Sequence, residues 1–540
     1  MIPTLQRWIE RNILELGREL RWSYLPPLMV YMAAGVSGLT NIVGTFFVKD
    51  YLGLSAEFLA ALGFWVGIPW ALKMPLGHLV DLIWRFKALL VYLGAGLIAL
   101  SLIIMLGLLA NPEAMGEYMP VSAWYVLSAL LAPIGYVIQD VVADAMTVEA
   151  VPHIDEFGNA VAADTLRLMH TTMQTLGRIA IIGGSVGVAL LNVIMFNGAA
   201  ALAETEKLAV YIDIYQLALV IPVISVSGVL LGGWLKLRRY RRLTANGMAR
   251  RQAWDTVHGD WRRPPVNWWV LGGSLVFVIF TLGMGLGDVA YNQEIIFFGS
   301  LGIIVFLITR IVRDLDDYAR RVLVGTAIII FVFRATPSAG PGVTWWMIDE
   351  LAFDQQFLST LSLISASIAM LGLFLFRRFI GERSIARIVI ILTLVSSFLA
   401  LPIVGMYYGL HQWTAGITGG VVDARFIAMV DTALESPLGQ IAMIPMLAWI
   451  ANSAPAHLKA TFFAVMASFS NLALSASQLG TKYLNQIFTV TREVKDAQNN
   501  VQVAADYSEL GALLISASVL ALLLPILTVL LVKRGRLESA

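Results

Sequence analysis

The chain has 540 residues, of which 58% are hydrophobic and 14% charged, and a mean hydropathy of +0.76, whereas a soluble domain is about 25% charged. Its 37 Lys and Arg residues balance 36 Asp and Glu, and it has six histidines and no cysteine. This composition indicates a polytopic membrane protein and excludes disulfides and thiolate chemistry. Without an HxxxH or HExxH spacing, we expect no metal site, cofactor or nucleic-acid partner.

Residues 1–24 lack the apolar core of a signal peptide and combine several arginines with regularly spaced apolar residues. That periodicity predicts an amphipathic helix on the cytoplasmic membrane surface. About fourteen stretches of roughly 20 mostly apolar residues follow, each long enough to span a bilayer. With the N-terminus inside, most Lys and Arg fall in cytoplasmic loops, so we expect both termini in the cytoplasm, in a plasma or inner membrane.

A basic segment after the sixth stretch divides the chain into two parts. Six stretches precede it and eight follow, which fits two six-helix bundles and an inserted helix pair. Two such bundles joined by a cytoplasmic linker resemble the major facilitator superfamily, so the predicted fold is all-α and polytopic. The predicted divisions are an N-terminal segment at 1–24, a first bundle at 25–237, the basic linker at 238–265, the inserted pair at 266–312, a second bundle at 321–532 and a tail at 533–540.

Carboxylates are rare on membrane helices and are functional candidates by default. The stretch VIQDVVADAMTVEAVP carries Asp140, Asp144 and Glu149 at the end of a long apolar run. Asp140 and Asp144 are four residues apart and share a helical face. We expect Asp140 to carry a coupled proton, because substrate binding beside it could switch its protonation. Asp144 and Glu149 are predicted to form inner-gate contacts with Arg167 or the following turn.

Cations inside the predicted helices suggest an anion site. At 1.5 Å rise per residue, Arg178 and Arg334 lie near the midplane of different halves, and Lys73 lies roughly 9 Å to the cytoplasmic side. Guanidinium groups stay charged and bind carboxylates or phosphates bidentately, so both arginines are predicted to bind substrate with help from Lys73. The alternative is that each arginine only neutralises a buried carboxylate, which for Arg178 would be Asp140.

Two helices carry polar stripes that need a wet or polar neighbour, because lipid would leave them unsatisfied. His170, Gln174 and Arg178 recur every four residues on the fifth helix, and we predict that they face a substrate cavity. The second stripe comprises Asn471, Ser475, Gln478 and Lys482. For its serine, helix packing is the preferred explanation, and Lys482 is close enough to the outer end to snorkel to water.

The stretch GIPWALKMPLGHLVD, residues 67–81, combines prolines and glycines with a terminal Asp81, and Arg85 follows it. It resembles a degenerate form of the superfamily loop motif between helices two and three, which latches the inside-closed face, so both residues are predicted gate residues. The alternative is an ordinary positively charged turn. Trp70 and Tyr31 are candidates to stack on an aromatic substrate ring.

Five segments in order resemble the folate-biopterin transporter family. They are FFVKDYLGLSAEF, IPWALKMPLG, DVVADAMTVE, RATPSAGPGVTWWMIDELAFDQQFLSTLSLI and MIPMLAWIANSAPAHLKATFFAVMASFSNLALSASQLGTKYL. The resemblance implies a secondary transporter that imports folates or pterins with protons. It also implies that Lys73, Asp81, Asp140, Asp144 and Arg178 match positions where the family keeps charged residues.

Other functions remain open at this point. The pattern of Gln139, Asp140, Asp144 and Ala145 also resembles the muropeptide permeases, so a muropeptide or another organic anion is an alternative cargo. A receptor that binds without transporting is a second alternative. An enzyme is not expected, since neither a metal-ligand spacing nor a phosphate-binding loop is present.

Overall fold

A computed structural model describes residues 20–48, 54–71, 73–151, 161–258, 268–286, 289–311, 313, 316–375, 384–453, 459–492, 494–495, 501–535 and 537. The predicted amphipathic helix at the N-terminus lies almost wholly outside these residues. The helices up to the end of the basic segment are α1 (Leu25–Val36), α2 (Asn41–Phe47), α3 (Ala56–Ala71), α4 (Lys73–Leu82), α5 (Lys87–Ala110), α6 (Pro112–Gly116), α7 (Val121–Ala150), α8 (Ala163–Met195), α9 (Glu204–Ala218), α10 (Val220–Ala245) and α11 (Arg250–His258). Short 3-10 turns lie at Trp22–Tyr24, Ser37–Thr40, Trp84–Phe86 and Ala199–Ala201.

The helices beyond the basic segment are α12 (Trp268–Leu286), α13 (Asn292–Ile311), α14 (Asp317–Arg334), α15 (Gly342–Asp349), α16 (Gln355–Leu375), α17 (Ile385–Leu399), α18 (Leu401–Tyr407), α19 (Leu410–Ile417), α20 (Ala424–Ser453), α21 (Lys459–Ile487) and α22 (Leu510–Arg534). Two short strands, β1 (Val494–Lys495) and β2 (Val501–Val503), pair antiparallel and add a small sheet that the all-α prediction did not include.

The described part of the chain contains eight spans that are long and apolar enough to cross a membrane. Two shorter apolar helices run over Ala56–Trp70 and Leu271–Thr281. A helix covers the centre of each stretch identified in the sequence. Length and apolarity therefore support a polytopic helical protein, and the number of about fourteen crossings stays a prediction.

The helices form two groups that meet along two contacts. We call α1–α10 the N-terminal half and α14–α22 the C-terminal half. Within the halves, α5 packs on α7, α1 on α8 and α10, and α16 on α20. Between them, α8 packs on α16, and α3 packs on α21 along what we call the seam.

Hydrogen bonds join the two halves at one end of the bundle, where α2, α8 and α21 finish and α3 and α16 begin; we call it the distal end. Five bonds between described residues lie there: Gln486 to Glu57 (2.6 Å), Gln355 to Tyr211 (2.8 Å), Gln356 to Asn197 (3.2 Å), the Gly198 N–H to the Gln356 side-chain oxygen (3.5 Å) and the Arg492 guanidinium to the Val48 carbonyl. Buried Trp345 lies beneath the Arg492 guanidinium. The distal end is thus closed in this conformation.

Candidate functional site

Lys73 is the first residue of α4, and Leu72, which lies between α3 and α4, is outside the described residues. α3 ends at Ala71 and α4 begins at Lys73, and a proline lies on either side, Pro69 inside α3 and Pro75 in α4. Proline has no backbone N–H, so each of these two prolines removes one helical hydrogen bond near Lys73. The sequence IPWALKMP therefore places a lysine between two prolines.

Two carboxylates from α7 share the Lys73 ammonium group. Its Nζ lies 2.6 Å from Oδ2 of Asp140 and 2.8 Å from Oδ2 of Asp144. The Lys73 and Asp140 side chains are 18% and 17% exposed, and Asp144 is 41% exposed. Asp140 and Asp144 thus belong to one cluster, while their predicted roles, a coupled proton for Asp140 and inner-gate contacts for Asp144, stay predictions. Their shared helical face, combined with one long lysine side chain, brings them into one cluster.

Tyr31 and Arg178 complete this cluster from α1 and α8. The Tyr31 hydroxyl donates a hydrogen bond to Oδ1 of Asp144 at 2.5 Å. A Cβ built on Gly177 would lie 2.9 Å from the Tyr31 ring, so this glycine lets α8 approach the tyrosine closely. The half-buried Arg178 acts electrostatically on both Asp140 and Tyr31. Among the described side chains Arg178 forms no ion pair, so Asp140 is the partner of Lys73 and not of Arg178.

The cluster balances two positive and two negative charges. Lys73 and Arg178 supply the cations, and Asp140 and Asp144 supply the anions. If one carboxylate gains a proton, the cluster carries a net charge of +1 and attracts an anion. Arg178 is the cation with a guanidinium left to bind such a ligand bidentately, because Lys73 is already engaged.

Glu149 belongs to a different ion cluster at the end of α7. Its carboxylate contacts Lys87 of α5 at 3.1 Å and Lys236 of α10 at 2.7 Å, and the Lys87 ammonium lies over the Trp84 ring. Burial raises the pKa of Glu149, but the two ammonium groups outweigh it and hold the pKa below its usual value. The described partners of Glu149 are therefore lysines of its own half, and its predicted partner Arg167 has a side chain outside the described ones.

Several predicted site residues have side chains outside the described part of the structure. These are Asp81, Arg85, Arg167, His170 and Gln174. Their backbones lie on α4, the 3-10 turn after it and α8, so the proposed roles of their side chains stay predictions. Trp70 is half-buried at the end of α3, and its carbonyl accepts a hydrogen bond from Asn471 of α21 at 3.1 Å.

Arg334 is the last residue of α14, and a non-helical stretch follows it. Residues 335–341 are non-helical, include Pro337 and Pro341, and are followed by α15. Polar side chains of α21 satisfy this exposed backbone: Ser477 donates to Thr336 O, Thr481 accepts from Ser338 N, and Asn485 donates to Ala339 O. Three hydrogen bonds with one neighbouring helix satisfy this non-helical backbone, so the interruption is a built feature of the fold.

The predicted stripe on α21 faces α3 along the seam. Asn471 bonds Trp70 O, and Cβ atoms built on Gly67 and Gly63 would lie 2.9 Å from Ser475 and 2.8 Å from Gln478. Close helix packing through glycine accounts for this stripe, as expected for Ser475. The Lys482 ammonium lies 3.3 Å from the Glu294 carboxylate, and its predicted access to water stays a prediction.

Sequence reasoning missed a second pair of closely spaced carboxylates. Asp431 and Glu435 lie four residues apart on α20, and Asp431 has a buried oxygen with no hydrogen-bond partner among the described residues. The exposed apolar side chains Phe426, Val430 and Leu434 occupy another face of this helix. The spacing of four that singled out Asp140 and Asp144 was available here too, but the charges weaken the apolar run that would have drawn notice.

Solved structures with a similar chain course are transporters. A POT family transporter in complex with 5-aminolevulinic acid matches with a TM-score of 0.58 and 12% identity, covering 95% of this chain and 96% of the other. A peptide transporter POT in complex with alafosfalin gives 0.56 and 15%, covering 97% and 95%. A nucleoside transporter gives 0.51 and 10%, covering 94% and 99%. At these identities the likeness shows the fold, which is that of major-facilitator-like transporters and confirms the predicted fold class.

Sequence comparison then gives the family. The model of the BT1 family matches residues 34–539. The chain belongs to the BT1 family, a family of membrane transporters and not of enzymes, and this confirms the resemblance drawn from its motifs.

Two relatives show how far the sequence similarity extends. A folate-biopterin transporter of Synechocystis sp. (strain ATCC 27184 / PCC 6803 / Kazusa) is 22% identical over 478 residues, covering 87% of this chain and 76% of that protein. Folate transporter 2 of Plasmodium falciparum (isolate 3D7) is 24% identical over 160 residues, 30% of this chain and 34% of that protein. The first match runs along most of the chain, and the second covers about a third of it.

Proposed function

We propose that this protein is a secondary transporter that carries a small folate- or pterin-like organic anion together with a proton by alternating access. The observation that carries the proposal is the cluster in which Lys73 contacts Asp140 and Asp144 within the electrostatic reach of Arg178. Buried charges of this kind are costly inside a membrane and persist where they serve binding or proton transfer. We infer an anionic substrate because Arg178 can bind one, and a coupled proton because the two carboxylates can take one up.

The charge balance of the cluster supplies a coupling mechanism. With both carboxylates ionised, Lys73 is held between them and the site is neutral. Protonation of Asp140 leaves Lys73 with Asp144, so the positive charge of Arg178 becomes available to an anion. Release of the anion on the other side restores the preference for two ionised carboxylates, and the proton leaves. Substrate and proton thus bind together and depart together.

Alternating access is supported by the arrangement of the two halves. Hydrogen bonds at the distal end, among them Gln486 to Glu57 and Gln355 to Tyr211, close that side of the bundle. Lys73 lies 16 residues along the second segment from Glu57, roughly 24 Å at 1.5 Å per residue, and so lies well away from the closed end. Parting of the halves at the distal end would open the other route to the cluster.

Folates and pterins are the first substrates to test, because the Synechocystis relative is named a folate-biopterin transporter. Purified protein in liposomes with an imposed inward pH gradient should accumulate labelled folate or biopterin above equilibrium, and a proton ionophore should abolish the accumulation. Binding without flux for every ligand that raises the melting temperature would contradict transport and favour a receptor. Flux of muropeptides or other anions, with no flux of folate or pterin, would move the cargo to the alternative class.

The basic loops further support an inner or plasma membrane with both termini in the cytoplasm. Protease protection of tags placed at each terminus in intact cells tests this orientation. Cleavage of either tag from outside would overturn it.

A further inference from the structure

The inserted helices α12 and α13 lie against both halves of the molecule. α13 packs on α21 of the C-terminal half, and α12 packs on α4 of the N-terminal half. Buried apolar residues continue this contact, since Phe64 of α3 clusters with Ile296 of α13 and Leu472 of α21. The pair therefore covers the seam between α3 and α21 from the side.

Two consecutive polar residues at the start of α13 bond to opposite sides of the seam. Gln293, 6% exposed, donates its amide to the carbonyl of Ala61 on α3 at 3.2 Å. Glu294 accepts from the Lys482 ammonium at 3.3 Å and from the Tyr483 hydroxyl, both on α21. One helix tip thus bridges the N-terminal and C-terminal halves about one turn from the distal bond between Glu57 and Gln486.

The two sides of this bridge differ in strength. Glu294 joins α21 through an ion pair with Lys482, in which the two side chains are only 15% and 18% exposed, and through a charge-assisted bond from Tyr483. Lys482 also donates to Oε1 of the Gln293 side chain at 3.2 Å. The bond from Gln293 to Ala61 on α3 is single and uncharged. Because charge-assisted bonds are about twice as strong as neutral ones, α13 stays with α21 when the seam parts, and the Gln293 bond breaks.

We propose that the inserted helix pair is a latch on the seam, in which Gln293 holds the distal end of α3 against α21 and Glu294 anchors the latch to the C-terminal half. Gln293 is a positioning residue, since it contacts α3 and not the substrate. The latch rests on the proposed alternating access, because it works only if the distal end opens. Its state can nevertheless be measured without substrate.

The absence of cysteine from the chain allows a direct measurement of seam opening. Ala56 at the start of α3 is 2% exposed and lies in an apolar cluster with Trp345 of α15 and Leu484 of α21. An Ala56→Cys reporter is buried while the halves are in contact and reacts with a maleimide when they part. In lipid nanodiscs both faces are accessible, so the labelling rate reports the open population whatever the orientation.

The test compares Ala56→Cys alone with the same reporter carrying Gln293→Ala, Gln293→Leu or Asn292→Ala. Asn292 is the matched control, being the neighbouring amide with no hydrogen bond among the described residues. Loss of one interhelical hydrogen bond within a membrane protein shifts such an equilibrium about threefold. We expect both Gln293 variants to label about three times faster at unchanged melting temperature, and Asn292→Ala to label at the parent rate.

Equal labelling of all four proteins would overturn the latch, as would an equal increase with Asn292→Ala. Glu294→Gln gives a second measurement, because it removes the charge that Lys482 pairs with and should also speed labelling. If labelling follows these expectations but no substrate moves, the latch stands and the transport proposal fails. If transport proceeds and labelling is unaffected by Gln293→Ala, only the latch fails.

Discussion

The Lys73 ammonium lies 2.6 Å from the Asp140 carboxylate and 2.8 Å from that of Asp144, so one cation from the second membrane segment holds two anions of the fourth. The lysine without the carboxylates, or the carboxylates without the lysine, would raise the free energy of the folded protein, since an unpaired charge inside a membrane is unfavourable. The three side chains therefore function as a unit, and single substitutions should expose their interdependence.

Lys73→Met should abolish accumulation of the transported substrate and lower the melting temperature. Removing one partner of a buried ion pair costs about 3–5 kcal/mol, because the remaining charges are left without compensation. Lys73→Arg keeps the charge and should retain part of the activity. Uptake into liposomes, with protein content checked by size-exclusion chromatography, measures the accumulation, and thermal unfolding of the purified proteins measures the melting temperature. Full accumulation by Lys73→Met would remove the cluster from the mechanism.

Asp140→Asn should uncouple transport from the proton. The amide cannot release a proton, so substrate exchange across the membrane continues while uphill accumulation under a pH gradient is lost. Asp144→Asn is the comparison, because Asp144 is more exposed and also bonded by Tyr31. Counterflow and pH-driven uptake are measured side by side. Preserved uphill accumulation by Asp140→Asn, with loss in Asp144→Asn, would assign the proton to Asp144.

Arg178→Ala should raise the substrate KM by roughly 10- to 100-fold, since a hydrogen bond to a charged group contributes about 1.5–3 kcal/mol. Arg178→Lys keeps the charge but not the bidentate geometry, so its KM should lie between those of the native protein and Arg178→Ala. Initial uptake rates over a range of substrate concentrations give KM and the maximal rate separately. An unchanged KM in Arg178→Ala would place the anion elsewhere.

Glu149→Gln should reduce stability in a pH-dependent way. Glu149 lies just beyond the apolar span Val121–Thr147, and its pKa is lowered because two ammonium groups outweigh the effect of burial. Its charged form therefore stabilises the fold above the ordinary glutamate pKa of about 4.3, and this contribution is lost as pH falls through the lower folded value. At pH 7 the variant should lose roughly 1–3 kcal/mol, between exposed and buried pairs.

Thermal unfolding of the native protein and Glu149→Gln at a series of pH values tests that sign. The difference in melting temperature should be full at pH 7 and shrink as the pH is lowered below about 4. A difference that grows on acidification would contradict the ion cluster around Glu149.

Gly35→Ala should destabilise the contact between α1 and α8. A Cβ at residue 35 would lie 2.0 Å from the carbonyl oxygen of Ile181, so one helix must shift. Overpacking of this kind costs about 1–3 kcal/mol. Gly187→Ala on the same helix as Ile181 is the matched control, because its Cβ would meet nothing within 4 Å. Equal melting temperatures for the two variants would show that the contact between α1 and α8 adjusts to the added methyl group without loss of stability.

The class of fold could be predicted from the sequence because the patterns that indicate it are local in the chain. Apolar runs of membrane length, basic loops and the spacing of Asp140 and Asp144 depend on local composition and helical period, which can be read along the chain. The same reasoning selected Lys73, Arg178 and Tyr31 as site residues. Family membership followed from ordered segments and was confirmed over residues 34–539.

Only the tertiary structure decided which charges meet. The packing of α4 and α1 on α7 pairs residues that are far apart in the chain. Lys73 and Asp140 are 67 positions apart, Lys73 and Asp144 are 71 apart, and Tyr31 and Asp144 are 113 apart. From the estimated depth of each residue in the membrane, Asp140 was predicted to lie near Arg178 and Asp144 to belong to a gate. The rise per residue gives the position of a residue along the helix axis but not the direction in which its side chain points around that axis. Rotation is set by side-chain packing between helices, which is why Lys482 meets Glu294 of the inserted pair and Glu149 meets two lysines.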